Sequence, residues 1–331
     1  MLWLRTRTNP LAGMFRRWMA PALLVGTVIL ATGLTAPAVA EGLPSPIRLL
    51  IPFAPGGVVD LAARLLAEEI QKKEGISIII ENKPGANGAL AARAVKAAEP
   101  DGKTLLFTSS SVITINPVLS KDAGYDPVTD FTPVAIAAYS DMILVAGPKM
   151  KATTLKEFIA EAKASNSPLT IGSAGQGNTT HGYLELFRKA AGVDITHVPY
   201  KGGAPAITDV LGGNIAGAVV ALNVAVSHIK AGTMRGLAVV GDKRSAAVPD
   251  VPTFKESGFE GLTILTWLGL MAPKGTPDAI VQSLSKAVAH ALTTESVKSK
   301  FAANGIVPYS LGGADFAKAI GEEGSAWKKA F

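Results

Sequence analysis

The segment most indicative of the fold is Ile47-Arg-Leu-Leu-Ile-Pro-Phe-Ala-Pro-Gly-Gly57. Its apolar run, residues 47–53, is typical of a buried strand, and residues 54–57 have the glycine and proline content of a tight loop. Apolar side chains then recur at helical spacing from Leu61 to Ile70, and Gly75 supplies a helix stop. Strand, glycine loop and helix in this order predict the opening of an α/β unit.

The residues that follow continue the same alternation. Strands are predicted at 76–80 and 104–108, with a helix at 89–98 between them. Strands and helices that alternate in this way form parallel sheets with right-handed crossovers. The first part of the chain is therefore predicted to be a βαβαβ unit.

A second unit of the same kind begins near Leu169. A strand is predicted at 169–172, a glycine-rich loop at 173–178 and a helix that ends near Ala191. Three more strands are predicted at 193–200, 215–221 and 236–240. The chain is therefore predicted to hold two α/β lobes, and each lobe opens with a strand, a glycine loop and a helix.

A sequence pattern that occurs twice in the chain predicts the lobe boundaries. Residues 144–149 and residues 269–274 are both largely apolar, both end in Pro-Lys and both precede a predicted helix. If each is a strand that passes between the lobes, the second lobe is inserted into the first. This interpretation assigns residues 41–143 and 263–331 to lobe 1 and residues 144–262 to lobe 2, with a hinge at two crossovers.

The first 40 residues differ in composition from the rest of the 331-residue chain. They hold four arginines and no acidic residue, and an apolar stretch leads to Ala38-Val-Ala40 before Glu41. These features predict a signal peptide cleaved after Ala40 and a periplasmic protein; an uncleaved N-terminal anchor is the alternative. Without this leader, the 32 Lys and Arg fall to 28 against 26 Asp and Glu, so most of the +6 charge is lost. The remainder lacks the basic excess of a nucleic-acid-binding domain.

The two glycine loops form the candidate binding site. In parallel α/β sheets, ligands bind at the carboxyl ends of strands, where helix N-termini offer free N–H groups that favour anions. Gly56 and Gly57 let the backbone approach a ligand, and Asp60 suits a helix N-cap position. The loop at 173–180 offers a second set of amides. The alternative is that both loops are ordinary turns, rich in glycine for geometric reasons only.

The sequence lacks the common catalytic motifs. Gly175 and Gly177 have no third glycine at the dinucleotide-binding spacing, because Thr180 occupies that position. No G-x-x-x-x-G-K-[ST], G-x-S-x-G or H-E-x-x-H motif occurs. The four histidines, which include His181 after the second loop, lack metal-ligand spacing and are expected to be surface or packing residues. No cofactor and no metal are predicted.

Further motifs occur in one order along essentially the whole mature chain. In the first half they are Ile51-Pro-Phe-Ala-Pro-Gly-Gly57 with Asp60 and Arg64, Glu81-Asn-Lys-Pro-Gly85 with Gly88, Pro100-Asp-Gly-Lys-Thr-Leu105, and Ile115-Asn-Pro117. In the second half they are His197-Val-Pro-Tyr-Lys-Gly202, Ile229-Lys-Ala-Gly232, Arg244-Ser245, and Pro249-Asp-Val-Pro-Thr253 with Glu256 and Gly258. In these motifs the chain resembles the Bug/TctC family, the extracytoplasmic solute receptors of tripartite tricarboxylate transport systems.

The resemblance implies an α/β protein with the two-lobed periplasmic-binding-protein, or Venus-flytrap, fold, in which each lobe is a βαβ-type sheet with flanking helices. It implies a receptor, not an enzyme, that holds a small carboxylate through backbone amides, hydroxyl groups and waters, while Phe53 packs on the ligand's carbon skeleton. A monomer that delivers its ligand to transporter membrane subunits is expected. The alternatives are a receptor that signals to a sensor domain and a secreted enzyme on an α/β scaffold.

The predicted ligand-binding residues are Phe53, Pro55, Gly56, Gly57, Val58, Val59, Asp60, Ser109, Ser110, Ser173, Gly175, Gly177, Asn178 and Thr179. Three departures from the family pattern affect this set or its surroundings. Val58 and Val59 stand where a small or hydroxylated residue is common, Asn178 replaces a serine, and Ala216 replaces an aspartate. The departures leave the identity of the carboxylate open.

Overall fold

The computed structural model describes residues 42–119, 123–262 and 266–330. Within these ranges the strands are β1 (Ile47–Ile51), β2 (Ile78–Asn82), β3 (Thr104–Ser109), β4 (Phe131–Ser140), β5 (Met142–Ala146), β6 (Leu169–Ser173), β7 (Ile195–Pro199), β8 (Gly217–Ala221), β9 (Arg235–Val239), β10 (Thr266–Pro273) and β11 (Ile306–Gly312). The helices are α1 (Val58–Glu74), α2 (Ala89–Lys96), α3 (Asn116–Leu119), α4 (Leu155–Ala164), α5 (Thr179–Ala191), α6 (Gly203–Leu211), α7 (Val226–Lys230), α8 (Asp278–Ala291), α9 (Glu295–Ala303) and α10 (Gly313–Ala330). The predicted signal peptide, residues 1–40, lies outside the described residues.

The strands form a six-stranded sheet and a five-stranded sheet. The order is β11-β4-β10-β3-β1-β2 in the first and β7-β6-β8-β5-β9 in the second. We call the parts of the chain built on these two sheets the first lobe and the second lobe. The two-lobed α/β architecture predicted from the sequence is confirmed.

Each sheet has a parallel core, as the strand and helix alternation predicts. In the first lobe β1 pairs in parallel with β2 and β3, and in the second lobe β6 pairs in parallel with β7 and β8. Antiparallel strands extend both sheets: β10, β4 and β11 in the first, and β5 and β9 in the second. The parallel strands of each lobe therefore end at one edge, and their connecting loops lie there.

The two helices that follow the glycine loops begin and end close to the predicted residues. Helix α1 starts directly after Gly57 and ends at Gly75, whose φ of 67° is the left-handed conformation that glycine adopts readily at helix ends. Helix α5 starts after Asn178 and ends at Gly192, where φ is 59°. Both loops are therefore anchored between a buried strand and a capped helix.

Each lobe buries apolar side chains on both faces of its sheet. In the first lobe one cluster joins α1 and α8 to the sheet, and a second cluster contains Trp267 and Phe316. In the second lobe one cluster contains Phe158 of α4 and Phe187 of α5, and the other contains Ile207 of α6. Burial on both faces explains the nearly continuous apolar runs within the interior parallel strands β3 and β8. Among the helices of the described ranges, none combines the length and apolar content that a membrane span requires.

The chain passes from the first sheet to the second at a position that the sequence analysis does not predict. Strand β4 is a ten-residue member of the first sheet, and β5 of the second sheet follows it after Asp141 alone. The segments 144–149 and 269–274 therefore do not pass between the sheets, since β5 lies in the second sheet and β10 in the first. Between Val134 and Ala146 only Ser140 and Asp141 interrupt the apolar run, and so short an interruption does not by itself predict that the chain leaves one sheet for another.

Candidate functional site

A cavity of about 120 Å³ lies where the carboxyl ends of the parallel strands of both lobes meet. Its wall consists of Phe53, Ala54, Pro55, Gly57, Val58, Val59, Ser109, Ser111, Met142, Ala174, Asn178, Thr179, Thr180, Lys201, Gly202, Gly203, Ala204, Pro205, Ala221, Asn223, Val224 and Thr266. Both glycine loops contribute to it, as the sequence predicts. Of the predicted ligand-binding residues, the wall includes Phe53, Pro55, Gly57, Val58, Val59, Ser109, Asn178 and Thr179. Gly56, Asp60, Ser110, Ser173, Gly175 and Gly177 are not part of it.

The first turn of α1 forms one side of the wall. Gly57 is the N-cap residue, and Val58 and Val59 are the first two helical residues. The first amides of a helix have no intrahelical acceptor, and no side chain caps this helix. This turn therefore presents N–H groups and the positive end of the helix dipole to an anion in the cavity.

Asp60 stabilises the first glycine loop, although it is not part of the cavity wall. The N-cap residue of α1 is Gly57, so the prediction that Asp60 is the N-cap is wrong. Asp60 is the third residue of α1 and is 3% exposed. Its carboxylate accepts hydrogen bonds from the Gly56 N–H at 3.0 Å, from Arg64 at 2.9 and 3.0 Å and from Asn82 at 2.9 Å. Burial acts to raise the pKa of Asp60, but the bonds from Arg64, Gly56 and Asn82 outweigh it and hold the pKa below its ordinary value. The carboxylate is therefore ionised and fully engaged with the protein.

The first turn of α5 forms the opposite side of the wall and is capped by Asn178. The Asn178 Oδ1 accepts from the His181 N–H at 3.1 Å and from the Thr180 hydroxyl at 2.7 Å. The Thr180 Oγ1 in turn accepts from the Ala174 N–H at 2.9 Å. The side-chain oxygen of Asn178, one of the predicted ligand-binding residues, is therefore used to start the helix and to close its loop.

The backbone N–H groups of the glycines in the second loop form hydrogen bonds within the loop and to the helix that follows it. The Gly175 N–H donates to the Ser173 hydroxyl oxygen at 3.2 Å, and the Gly177 N–H donates to Nδ1 of His181 at 3.1 Å. Gly175 and Gly177 have positive φ angles of 151° and 72°, so the turn that produces these bonds requires glycine. The amides that remain for a ligand are those of the first helical residues, Thr179 and Thr180.

His181 is a packing residue behind the second loop. Its ring stacks on that of His197 with centroids 4.1 Å apart, and Nε2 of His197 lies 2.6 Å from Oγ of Ser173. Burial and then the neighbouring His181 lower the pKa of His197 to about 4. Burial also lowers the pKa of His181, although Glu185 opposes this shift. Both rings are therefore neutral at pH 7, and His181 holds the loop as a hydrogen-bond acceptor.

Thr179 carries a buried hydroxyl that has no hydrogen-bond partner among the described residues. The side chain lies on the wall and the residue is 4% exposed. A buried hydroxyl without a partner reduces the stability of the folded protein unless a ligand or a water molecule forms a hydrogen bond with it. By contrast, the neighbouring wall residues Ser109 and Ser111 bond to each other at 2.9 Å.

The wall also contains residues that the sequence analysis does not identify. Some of these residues, Lys201 and Asn223 among them, lie in the segments that follow β7 and β8. Both strands belong to the parallel core, so the rule that ligands bind at the carboxyl ends of strands, applied to all the parallel strands, would have found them. Among the described residues on the wall, Lys201 alone has a charged side chain. Within the part of the chain that the structure describes, no group of three or more His, Cys, Asp or Glu side chains is placed to hold a metal ion.

Comparisons with known proteins agree with this architecture. A family model described as "Tripartite tricarboxylate transporter family receptor" matches residues 62–331. Protein BugT of Bordetella pertussis is 34% identical over 287 residues, which cover 86% of this chain and 88% of BugT. The structure of R. palustris Rpa4515 with adipate is 33% identical, with 86% and 95% coverage and a TM-score of 0.82. The structure of MatC from Rhodopseudomonas palustris with bound malate is 32% identical, with 86% and 98% coverage and a TM-score of 0.79.

Proposed function

The chain belongs to the tripartite tricarboxylate transporter receptor family, and on this premise we propose that it is a periplasmic receptor that binds a small organic carboxylate. Its two-lobed α/β fold is that of solved periplasmic binding proteins. Two lobes that meet around one cavity suit reversible capture, in which a ligand is held between them and released when they part. The predicted assignment of residues 41–143 and 263–331 to one lobe and 144–262 to the other belongs to the same proposal, except that Met142 and Ile143 are part of β5 and therefore of the second lobe.

The N-termini of two helices meet at one cavity, and this arrangement is the main support for the proposal. Helix α1 brings Val58 and Val59 to the wall, and helix α5 brings Thr179 and Thr180. Each first turn offers unpaired N–H groups and a partial positive charge. Thr179 adds a buried hydroxyl without a partner among the described residues. A carboxylate accepts hydrogen bonds from all of these groups, whereas a cation would be repelled.

The ligand that this wall suits best is a dicarboxylate. One carboxylate would accept from the helix amides, and the ammonium group of Lys201 would attract the second. The aliphatic chain between the two groups would pack against Phe53, Pro55 and Met142, which are also on the wall. The relatives Rpa4515 and MatC have structures with adipate and malate, which are dicarboxylates.

Delivery of this ligand to a membrane permease is the role we propose for the loaded receptor. The family model is that of a transporter receptor. The apolar leader with Ala38-Val-Ala40 supports export across the inner membrane and a location in the periplasm. A receptor of this kind returns its ligand chemically unchanged, so the proposal includes no catalytic residue.

Calorimetry with a panel of carboxylates tests the proposal. Purified mature protein is titrated with acetate, malate, adipate, citrate and benzoate, and ligand that co-purifies is identified by native mass spectrometry. We expect a dicarboxylate to bind most tightly and to raise the stability of the folded protein by about 2.7 kcal/mol at 100 times its dissociation constant. Binding of none of the acids, or chemical conversion of the bound acid, would contradict the proposal.

A further inference from the structure

Two asparagines donate hydrogen bonds from one lobe to the glycine loop of the other. Asn87 of the first lobe donates through Nδ2 to the carbonyl oxygen of Gly177, in the second lobe, at 2.8 Å. Asn223 of the second lobe donates through Nδ2 to the carbonyl oxygen of Gly56, in the first lobe, at 3.3 Å. The arrangement is reciprocal, because each lobe supplies one donor and one acceptor. We call these two contacts the interlobe hydrogen bonds.

The backbone around Asn87 is held in an unusual conformation. Four consecutive residues, Gly85 to Gly88, have positive φ angles, and two of them, Ala86 and Asn87, are not glycine, with φ of 48° and 49°. Asparagine tolerates the left-handed region, but a run of this kind persists only where the surrounding structure maintains it. Packing does so here: a Cβ at Gly88 would lie 2.5 Å from the side chain of Val112. The strained turn fixes the position from which Asn87 reaches the other lobe.

Both acceptor glycines also form a hydrogen bond within their own lobe, through their backbone N–H groups. The Gly177 N–H donates to His181 and the Gly56 N–H donates to Asp60, at 3.1 and 3.0 Å. In each case the partner lies four residues later, in the first turn of the helix that follows the loop. Each acceptor glycine is therefore anchored within its own lobe by a bond that is independent of the other lobe's asparagine.

We propose that Asn87 and Asn223 are positioning residues whose interlobe hydrogen bonds hold the two lobes together and thereby raise the affinity for the ligand. This inference rests on the proposed binding function. Both bonds exist only when the lobes are in contact, so they add to the population of the closed form. The apparent dissociation constant equals the intrinsic constant divided by the fraction of protein in the binding-competent form, so a smaller closed population weakens binding.

Asn87 provides the clean test, because it is absent from the cavity wall whereas Asn223 is part of it. Asn87→Gly removes the amide and suits the positive φ, so the variant is expected to fold and melt like the wild type. Asn87→Asp keeps the size but replaces the donor with a carboxylate that faces the Gly177 carbonyl. Asn214→Gly is the matched control, since the Asn214 amide donates to Asp209 within the second lobe at 3.0 Å, on the exposed surface.

The first measurement is calorimetry with malate and with adipate as probes. Loss of a neutral hydrogen bond corresponds to roughly two- to tenfold weaker binding. We expect this for Asn87→Gly, a larger loss for Asn87→Asp, and wild-type affinity for Asn214→Gly. Wild-type affinity in both Asn87 variants would overturn the inference while leaving the proposed function intact.

The second measurement needs no ligand. The 331-residue chain has no cysteine, so spin labels on Glu99→Cys in the first lobe and Lys189→Cys in the second report the interlobe distance alone. We expect a short-distance population that shrinks in both Asn87 variants and persists in Asn214→Gly. Equal distributions, or no short-distance population in the wild type, would overturn the inference. If neither acid binds the wild type, the ligand class fails, and these distances still decide whether the interlobe bonds hold the lobes.

Discussion

The backbone N–H of Gly177 donates to Nδ1 of His181 at 3.1 Å. This bond requires Nδ1 to be unprotonated, so the neutral ring carries its proton on Nε2, which lies 4.0 Å from Glu185. The imidazole therefore acts as a clamp on the second glycine loop, and it does so without contacting the cavity. The Gly56 N–H and Asp60 form the same four-residue relationship in the first lobe.

Substitution of His181 by alanine is expected to weaken ligand binding. The variant loses the acceptor for the Gly177 amide and the stacked partner of His197, so the loop before α5 is less well fixed. The loss is about 1 kcal/mol, which is roughly fivefold in affinity. Calorimetry compares it with His290→Ala, because His290 is an exposed residue of α8. Unchanged affinity in His181→Ala would show that the clamp has no effect on the site.

Acidification is expected to destabilise the protein through His197. Its pKa is lowered from 6.5 to about 4 in the folded protein, chiefly by burial and then by His181, so the unfolded chain binds the proton at a higher pH than the folded protein. Stability that is fully present above about pH 6.5 is therefore lost progressively as the pH falls toward about 4, and the loss levels off below that value. Melting temperatures of the wild type and of His197→Gln, measured across this range, should diverge below about pH 6.5. Parallel curves would contradict the assignment.

Thr179→Val is expected to weaken binding without destabilising the protein. Valine has the shape of threonine and removes a hydroxyl that is buried without a partner among the described residues. Loss of its bond to a carboxylate costs about 1–3 kcal/mol of binding free energy, whereas the unliganded protein gains or keeps its stability. Thr180→Val is the contrast, because that hydroxyl makes two bonds within the loop, at 2.7 and 2.9 Å. Lower melting temperatures in Thr179→Val would show that its hydroxyl has a structural role.

Lys201→Gln is expected to reduce the preference for dicarboxylates. The lysine is exposed at the wall, so its attraction to a second carboxylate contributes about 0.2–1 kcal/mol and weakens at high salt. Affinity for a monocarboxylate should not change. Titrations of both acids at low and high ionic strength, with Lys189→Gln as the exposed control, measure the effect. Equal losses for mono- and dicarboxylates would place Lys201 outside the second-carboxylate contact.

Gly57→Val is expected to block the cavity while the fold is kept. Gly57 has φ of −72° and ψ of 168°, which any residue adopts, and an added Cβ meets only the Ala54 carbonyl oxygen at 3.7 Å. The larger side chain would therefore occupy the space in front of the α1 amides, and calorimetry should detect no binding. Gly56→Ala serves as the comparison, since its φ of 83° makes a side chain costly by about 1–2 kcal/mol and should lower the melting temperature. Normal binding by Gly57→Val would place the ligand elsewhere.

The helices and strands around the site could be predicted from the spacing of apolar residues and glycines along the sequence. The spacing of apolar residues and the stops at Gly75 and Gly192 determine α1 and α5, and the alternation of strands and helices determines the parallel cores. The boundary between β4 and β5 was not predicted, because both strands are largely buried and only Ser140 and Asp141 separate their apolar runs. Periodicity identifies an element by its exposed face, and these strands have little exposed surface.

From the sequence it follows that two glycine loops, each between a strand and a helix, lie at the carboxyl edges of parallel strands. Which groups of those loops are free for a ligand depends on the packing of the folded chain. The amides of Gly56 and Gly177 are engaged by Asp60 and His181, and the first turns of the two helices are what remains for a ligand. Asn223 and Gly56 are 167 positions apart and meet because β8 and β1 end at the same cavity. A local pattern records which face of an element is buried, whereas a contact between remote residues depends on how whole elements pack.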